Sequence, residues 1–304
     1  MGQGSWNALG RNTAGALAER VPRPSPAAPP LTPPAPAVKS PLRYPGGKSR
    51  AVKAIAALMP DNLTRLASPF LGGGSLEIAL ANKGVRVHGY DAFKPLVLFW
   101  QAALGDPGRL ADRVKEFYPL PKARFYDIQQ RMREGRVSDA DMPALFFVMN
   151  RSSYSGTTLS GGMSLGHPRF TPSAIERLRG FAMGGWLSVE MEDFETSLAR
   201  HQGDFIYADP PYANGGALYG QRGDYHIDFD HKRLASILTK REGWILSYND
   251  CDLIRDLYAG FPILPCAWAY GMNGDKKSNE IIILSKDSKG IRTHGSPSRE
   301  WTRL

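Results

Sequence analysis

From residue 41 onward, short apolar runs alternate with stretches of helical periodicity. Ala51, Ile55 and Leu58 fall on one helical face and Pro60 ends the pattern, so the spacing predicts a helix over 48–59. A strand ending near Phe70, a helix over 76–80 and a strand over 85–90 closing at Asp91 follow, making a first βαβ unit. Further strands are predicted over 186–189, 204–208 and 244–248, with an amphipathic helix over 231–241 between the last two. Two final strands, 267–271 and 281–284, flank the turn-forming Met272-Asn273-Gly274-Asp275 and predict an antiparallel hairpin. Strands separated by crossover helices indicate an α/β fold on a mostly parallel sheet, which that hairpin completes.

Residues 105–180 interrupt the alternation. They are richer in helix and loop and set Arg124, Arg131, Arg133, Arg136, Arg151 and Arg169 among aromatic residues, as an insert between two halves of a sheet domain would. The first forty residues are dominated by Pro and Ala and lack the aromatic and β-branched residues of a core, so 1–40 reads as a disordered extension.

Hydrophobic residues make up 42% of the 304, enough for a sizeable core in one large domain or two small ones. No apolar run approaches the roughly 20 residues of a membrane span, and no secretory signal is evident, so a soluble, cytoplasmic protein without membrane partners is expected. Cys251 and Cys266 form no CxxC, which disfavours structural zinc and a disulfide framework and leaves packing roles. The net charge of +9 suggests a polyanionic partner, but residues 1–40 and 285–304 each carry about +3, leaving about +3 for everything between. Nucleic-acid binding therefore has to be argued from motifs.

The sharpest motif is Asp209-Pro210-Pro211-Tyr212 at the carboxyl end of a predicted strand, where open α/β sheets present ligand sites. A carboxylate and the outward carbonyl of Pro210 could accept both hydrogens of an exocyclic amino group, and Tyr212 offers a face for stacking an extruded base. A second motif, Pro69-Phe70-Leu71-Gly72-Gly73-Gly74-Ser75-Leu76-Glu77, is a strand-to-helix turn whose glycines admit close backbone approach to a ligand. Its G-x-G-x-x-E spacing lacks the third glycine of a dinucleotide fingerprint, while Asp91 ends the next strand where an acidic residue binds ribose hydroxyls. Arg43-Tyr44-Pro45-Gly46-Gly47-Lys48-Ser49 ends like a phosphate loop, but Leu42 stands where that loop needs glycine and no strand precedes it. His226, Asp228, Asp230 and His231 have metal-donor chemistry, yet they precede a helix that a carboxylate there would cap, so no metal is expected.

The order of these three motifs resembles the DNA adenine methylase family, the D12 class of N6-adenine methyltransferases, over about residues 41–285. Asn150-Arg151-Ser152-Ser153-Tyr154-Ser155-Gly156, Asp193-Phe194 and Ser247-Tyr248-Asn249-Asp250 resemble further segments of that family. The resemblance implies a Rossmann-like, S-adenosylmethionine-dependent catalytic domain over 41–104 and 181–286, a target-recognition insert over 105–180 and a basic tail over 287–304. It implies a cofactor site built from Tyr44, Gly46, Gly47, Lys48, Phe70, Gly72, Gly74, Asp91, Asp193 and Phe194. Asp209, Pro210, Pro211 and Tyr212 would hold a flipped adenine, and Asn150, Arg151, Tyr154 and Arg169 would meet DNA. Ser68 and Ser155 depart from the pattern, standing where many members carry an acidic residue and Asn. The expected activity is methyl transfer to adenine N6 in duplex DNA by a monomer, with a cognate restriction endonuclease as a candidate partner. A cytosine-N4 or RNA-adenine methyltransferase and a catalytically silent DNA-binding regulator are the alternatives.

Overall fold

The computed structural model describes residues 37–44, 47–164, 169–213, 229–266 and 280–288. Among them seven strands form one sheet: β1 (Arg65–Ser68), β2 (Arg86–Asp91), β3 (Leu187–Met191), β4 (Phe205–Ala208), β5 (Trp244–Asn249), β6 (Ile263–Cys266) and β7 (Glu280–Leu284). They lie in the order β3-β2-β1-β4-β5-β7-β6. The first five are parallel, β7 runs antiparallel to β5, and β6 antiparallel to β7. The mostly parallel sheet with its antiparallel finish is thus the α/β fold that the alternation predicts. The hairpin's first strand starts at Ile263, earlier than expected; the expected 267–271 and the turn after it lie outside the described residues. Pro262 and Pro265 read as strand breakers, but β6 is the outermost strand, where a residue without an N–H is tolerated.

Both faces of the sheet are covered, which explains why its strands read as unbroken apolar runs. In β7, Ile282 and Leu284 join the larger core while Ile281 and Ile283 join the second, as successive side chains point to opposite faces. In β5, Ile245 faces the larger core and Trp244, Leu246 and Tyr248 the other. The helices are α1 (Val52–Ala56), α2 (Ser75–Ala81), α3 (Lys94–Gly105), α4 (Pro107–Lys115), α5 (Lys122–Arg133), α6 (Met142–Ser152), α7 (Pro172–Arg179), α8 (Phe194–Arg200), α9 (His231–Leu238) and α10 (Asp252–Leu257). The regular part of α1 is shorter than the predicted 48–59, because Lys48 to Ala51 form a turn that leads out of the site described below. No helix of the described residues is long and apolar enough to cross a membrane.

Helices α4 to α7 occupy the stretch read as an insert, but their apolar residues are continuous with the larger core through α3, β2 and β3. Every residue of α6 is buried, Asn150 included. The Asn150 amide accepts from Arg43 N at 2.9 Å and donates to Arg43 O at 2.6 Å and Gly156 O at 3.2 Å. It thereby pairs with the approaching chain as a second strand would. Gly156 has φ of +77°, and a Cβ there would lie 2.1 Å from Arg43 O, so only glycine lets the two segments pass. The approach is docked from Val38, which exchanges two hydrogen bonds with Asn82, and Ser40 Oγ donates to Gly73 O at 2.6 Å. Compositional bias thus runs a few residues into the folded part, since short anchors carry little compositional signal.

Asn150→Ala removes both bonds to Arg43 and leaves buried backbone groups bare, so it should cost roughly 2–4 kcal/mol in urea unfolding. Tyr154→Ala, at a position 70% exposed on the same segment, should stay within about 0.5 kcal/mol. Equal stabilities for the two variants would remove the staple role of Asn150.

Candidate active site

The strand order reverses between β1 and β4, which pair in parallel through Leu66 with Phe205 and Ala67 with Ile206. At such a reversal the crossover connections leave to opposite sides and open a crevice beyond the carboxyl ends of the strands. The glycine turn follows β1 and Asp209 follows β4, so two motifs 135 residues apart share one crevice because of the topology.

Lys48 reaches this point from the chain before α1. It is 4% exposed, and its Nζ lies 2.8 Å from both Oδ1 and Oδ2 of Asp209 and 2.8 Å from the Tyr212 hydroxyl. Glu280, the first residue of β7, stands with an oxygen 3.7 Å from the same ammonium and accepts the Tyr212 O–H. Burial raises the Asp209 carboxyl above the usual range, and the adjacent ammonium opposes that rise. Asn249, ending β5, accepts from Ala213 N at 3.0 Å and fixes the exit of the Asp209–Tyr212 turn. Pro210 is buried and Pro211 partly so. The arrangement can therefore present a carboxylate acceptor and an aromatic ring side by side, with a cation already seated between them.

The other side of the crevice is the turn after β1. Gly72 and Gly74 both have positive φ, and the Asp91 carboxylate accepts from Gly72 N at 3.0 Å and from Phe93 N at 2.9 Å. Close approach to the glycines is made by Tyr44: a Cβ on Gly73 would lie 2.6 Å from Tyr44 Cβ, and one on Gly72 3.1 Å from the ring. Phe70 and Phe194 pack with centroids 5.8 Å apart, and Phe229 closes on both at 5.5 and 5.4 Å. Asp193 caps α8 by accepting from Thr196 N and its hydroxyl. Gly47 N donates to Tyr44 O, and Gly46 lies outside the described residues. A carboxylate at the end of β2, a glycine turn and an aromatic wall fit an adenosyl group with its ribose, which is the test the residues have to meet.

The residues expected to meet DNA separate by exposure. Asn150 is internal, as described, and Arg151 is 8% exposed with Nε donating to Arg169 O. Tyr154 and Arg169 are at the surface. Burial, then the positive charges of Arg177, Arg43 and Arg169, push the Arg151 guanidinium down to about 10. Arg43 is lowered by burial and by Arg169. Four guanidiniums thus share one neighbourhood, an arrangement that an anion relieves. Of the metal-donor residues considered, Asp230 accepts from Arg233 N as the N-cap of α9, while His226 and Asp228 lie outside the described residues.

Sequence reasoning singles out none of Glu280, Phe229 and Arg177, carries Arg43 only as the head of the motif ending in Lys48-Ser49, and reads Lys48 with the cofactor motif; its ammonium sits 2.8 Å from Asp209. A charged residue opening an apolar strand signals Glu280; Phe229 and Arg177 carry no local pattern. Glu77 was noted only as part of the glycine turn. It is 3% exposed and accepts from Ser68 Oγ at 2.8 Å, and burial pushes its carboxyl from an ordinary 4.5 up to about 7.

With a folded pKa above the unfolded one, the protonated Glu77 stabilises fully below pH about 4.5, and that contribution is lost as pH rises through about 7. Its loss is on the order of 3 kcal/mol at most. Glu77→Gln should therefore leave Tm nearly unchanged at pH 4 and raise it by roughly 5–10 °C at pH 8. A pH-independent effect in thermal melts would refute the assignment.

The family model described as D12 class N6 adenine-specific DNA methyltransferase matches residues 44–272. The chain is 23% identical over 269 residues to a protein of Lactococcus lactis subsp. cremoris named Type II methyltransferase M1.LlaDCHI, covering 80% of this chain and 94% of that one. It is 27% identical over 262 residues to the Retron Ec67 DNA adenine methylase of Escherichia coli, covering 80% and 90%. A match across three quarters of the chain, carried by the turn after β1 and the Asp209–Tyr212 motif at one crevice, means that this protein belongs to the D12 class of N6-adenine-specific DNA methyltransferases.

Proposed function

We propose that Asp209 and Pro210 accept hydrogen bonds from the N6 amino group of an adenine turned out of duplex DNA, while Tyr212 stacks on the base. The observation that carries this reading is the Asp209 carboxylate at the strand-order reversal, beside Tyr212 and across the crevice from the glycine turn. Phe70, Gly72, Gly74, Asp91 and Phe194 would hold S-adenosylmethionine, with Tyr44, Gly47 and Asp193 at its margins. When bound, that group supplies an electrophilic methyl on a sulfonium. The chain's contribution is positioning and acceptor placement, which raises electron density on the amino nitrogen without a protein nucleophile. The type II name of the Lactococcus relative supports a place beside a cognate restriction endonuclease.

DNA would lie across the arginine neighbourhood of Arg43, Arg151, Arg169 and Arg177, with Arg169 and Tyr154 at its surface. The base-contacting residues then sit behind a phosphate-binding rim, as backbone contacts fix register without reading sequence.

Asp209→Ala should lower transfer of labelled methyl to N6 of adenine in mixed-sequence duplex DNA by about 10³-fold or more, with S-adenosylmethionine affinity within about threefold of wild type. Lost cofactor binding with little loss of transfer at saturation would put Asp209 in the wrong role. Arg169→Ala should weaken DNA binding for all sequences alike and reduce the slope of log K against log salt by about 1. An unchanged slope would take Arg169 off the phosphate rim.

A further inference from the structure

The carboxylate assigned to the target amine is already engaged. The Lys48 ammonium sits 2.8 Å from each Asp209 oxygen, so an arriving amino group meets a carboxylate whose two oxygens both face a stronger donor. A buried ammonium that gives up this partner shifts onto those that remain, because charge left poorly compensated in that position is strongly unfavourable. Glu280 is the carboxylate among them, already paired with Nζ at 3.7 Å and about 1 Å beyond hydrogen-bond contact.

The two residues differ in how they are held. Glu280 is 7% exposed and opens β7, where it pairs with Asn249 of β5 and Cys266 of β6, ahead of the buried Ile281 to Leu284. Strand β7 is hydrogen-bonded on both sides, to β5 and to β6, so the carboxylate is rigidly placed. Lys48 lies on a turn and carries its charge on a flexible four-carbon stem. The Tyr212 hydroxyl joins the two sites, since it accepts from Lys48 and donates to Glu280.

We propose that Glu280 is a positioning residue that receives the Lys48 ammonium when Asp209 takes up the target amino group. Lys48 is thus a placeholder, holding Asp209 ionised and oriented while the crevice is empty and withdrawing toward β7 as the base arrives. This rests on the reading of Asp209 as the amine acceptor. Through this handover, Glu280 acts on the reaction without touching the base.

The test is single-turnover methyl transfer to mixed-sequence duplex DNA by the full-length protein, with S-adenosylmethionine and DNA dissociation constants measured separately. Glu280→Gln keeps an acceptor for Tyr212 but removes the charge, and should slow transfer about 30-fold with both constants within about threefold. Lys48→Met should retain measurable transfer, and adding it to Glu280→Gln should recover about tenfold, because no charge then needs rehousing. A wild-type rate for Glu280→Gln, or a double variant no faster than that single one, overturns the handover. Loss of all transfer in Lys48→Met with cofactor still bound also overturns it, because the ammonium would then be needed on Asp209 during transfer. If Glu280→Gln does not fold, the comparison of Lys48→Met with the double variant decides. A difference below about threefold supports the proposal, and a further tenfold loss refutes it. Asp209→Ala separates the layers: an active Asp209→Ala removes the underlying reading, whereas an inactive one with unaffected Glu280 variants removes only this inference.

Discussion

The Lys48 ammonium, buried among Asp209, Tyr212 and Glu280, is the interaction on which the site depends. Its partners come from the ends of β4 and β7, while Lys48 itself precedes α1, so one charge ties together segments 161 and 232 residues apart. A lone ammonium at 4% exposure would be untenable, and Asp209 without it would be pushed further toward its neutral form. The short, interrupted start of α1 follows from the same demand, since the chain turns at Lys48 to deliver the side chain before it can become helical.

Much of this frame was legible in the sequence because it is governed by local rules. Strand and helix periods located β1, β2, β4, β5, β7 and α9, and the covered sheet explains why Ile281 to Leu284 reads as a continuous apolar run. The strand at Ile263 was hidden by Pro262 and Pro265, whose meaning depends on whether a strand lies at an edge, a property of topology rather than of sequence. In the same way the motif at Asp209 was visible as chemistry, but its meeting with Lys48 and Glu280 depends on strand order. No spacing along the chain encodes that Glu280 faces Tyr212.

The Asn150-to-Gly156 segment shows how a motif can be recognised for one role while its physics first serves another. Asn150 substitutes a side-chain amide for a missing strand neighbour and holds Arg43, and Gly156 leaves room for the Arg43 carbonyl. What this staple fixes is the direction of the approach to Lys48 and the placing of Arg43 near Arg151 and Arg169. The stretch of α4 to α7 therefore contributes to the crevice and to the arginine neighbourhood through the same few atoms, and its shared core with α3 and β3 keeps the two in register.

The departure at Ser68 has a physical explanation in Glu77. Ser68 is fully buried at the end of β1 and donates to the Glu77 carboxyl at 2.8 Å. An acidic residue at position 68 would bring a second carboxyl against a first that burial already pushes up to about 7, and two carboxylates at that separation cannot both ionise. A serine there offers a donor in place of a competing charge. The carboxyl buried at this point is thus carried by the first turn of α2, with its hydrogen-bond donor on β1.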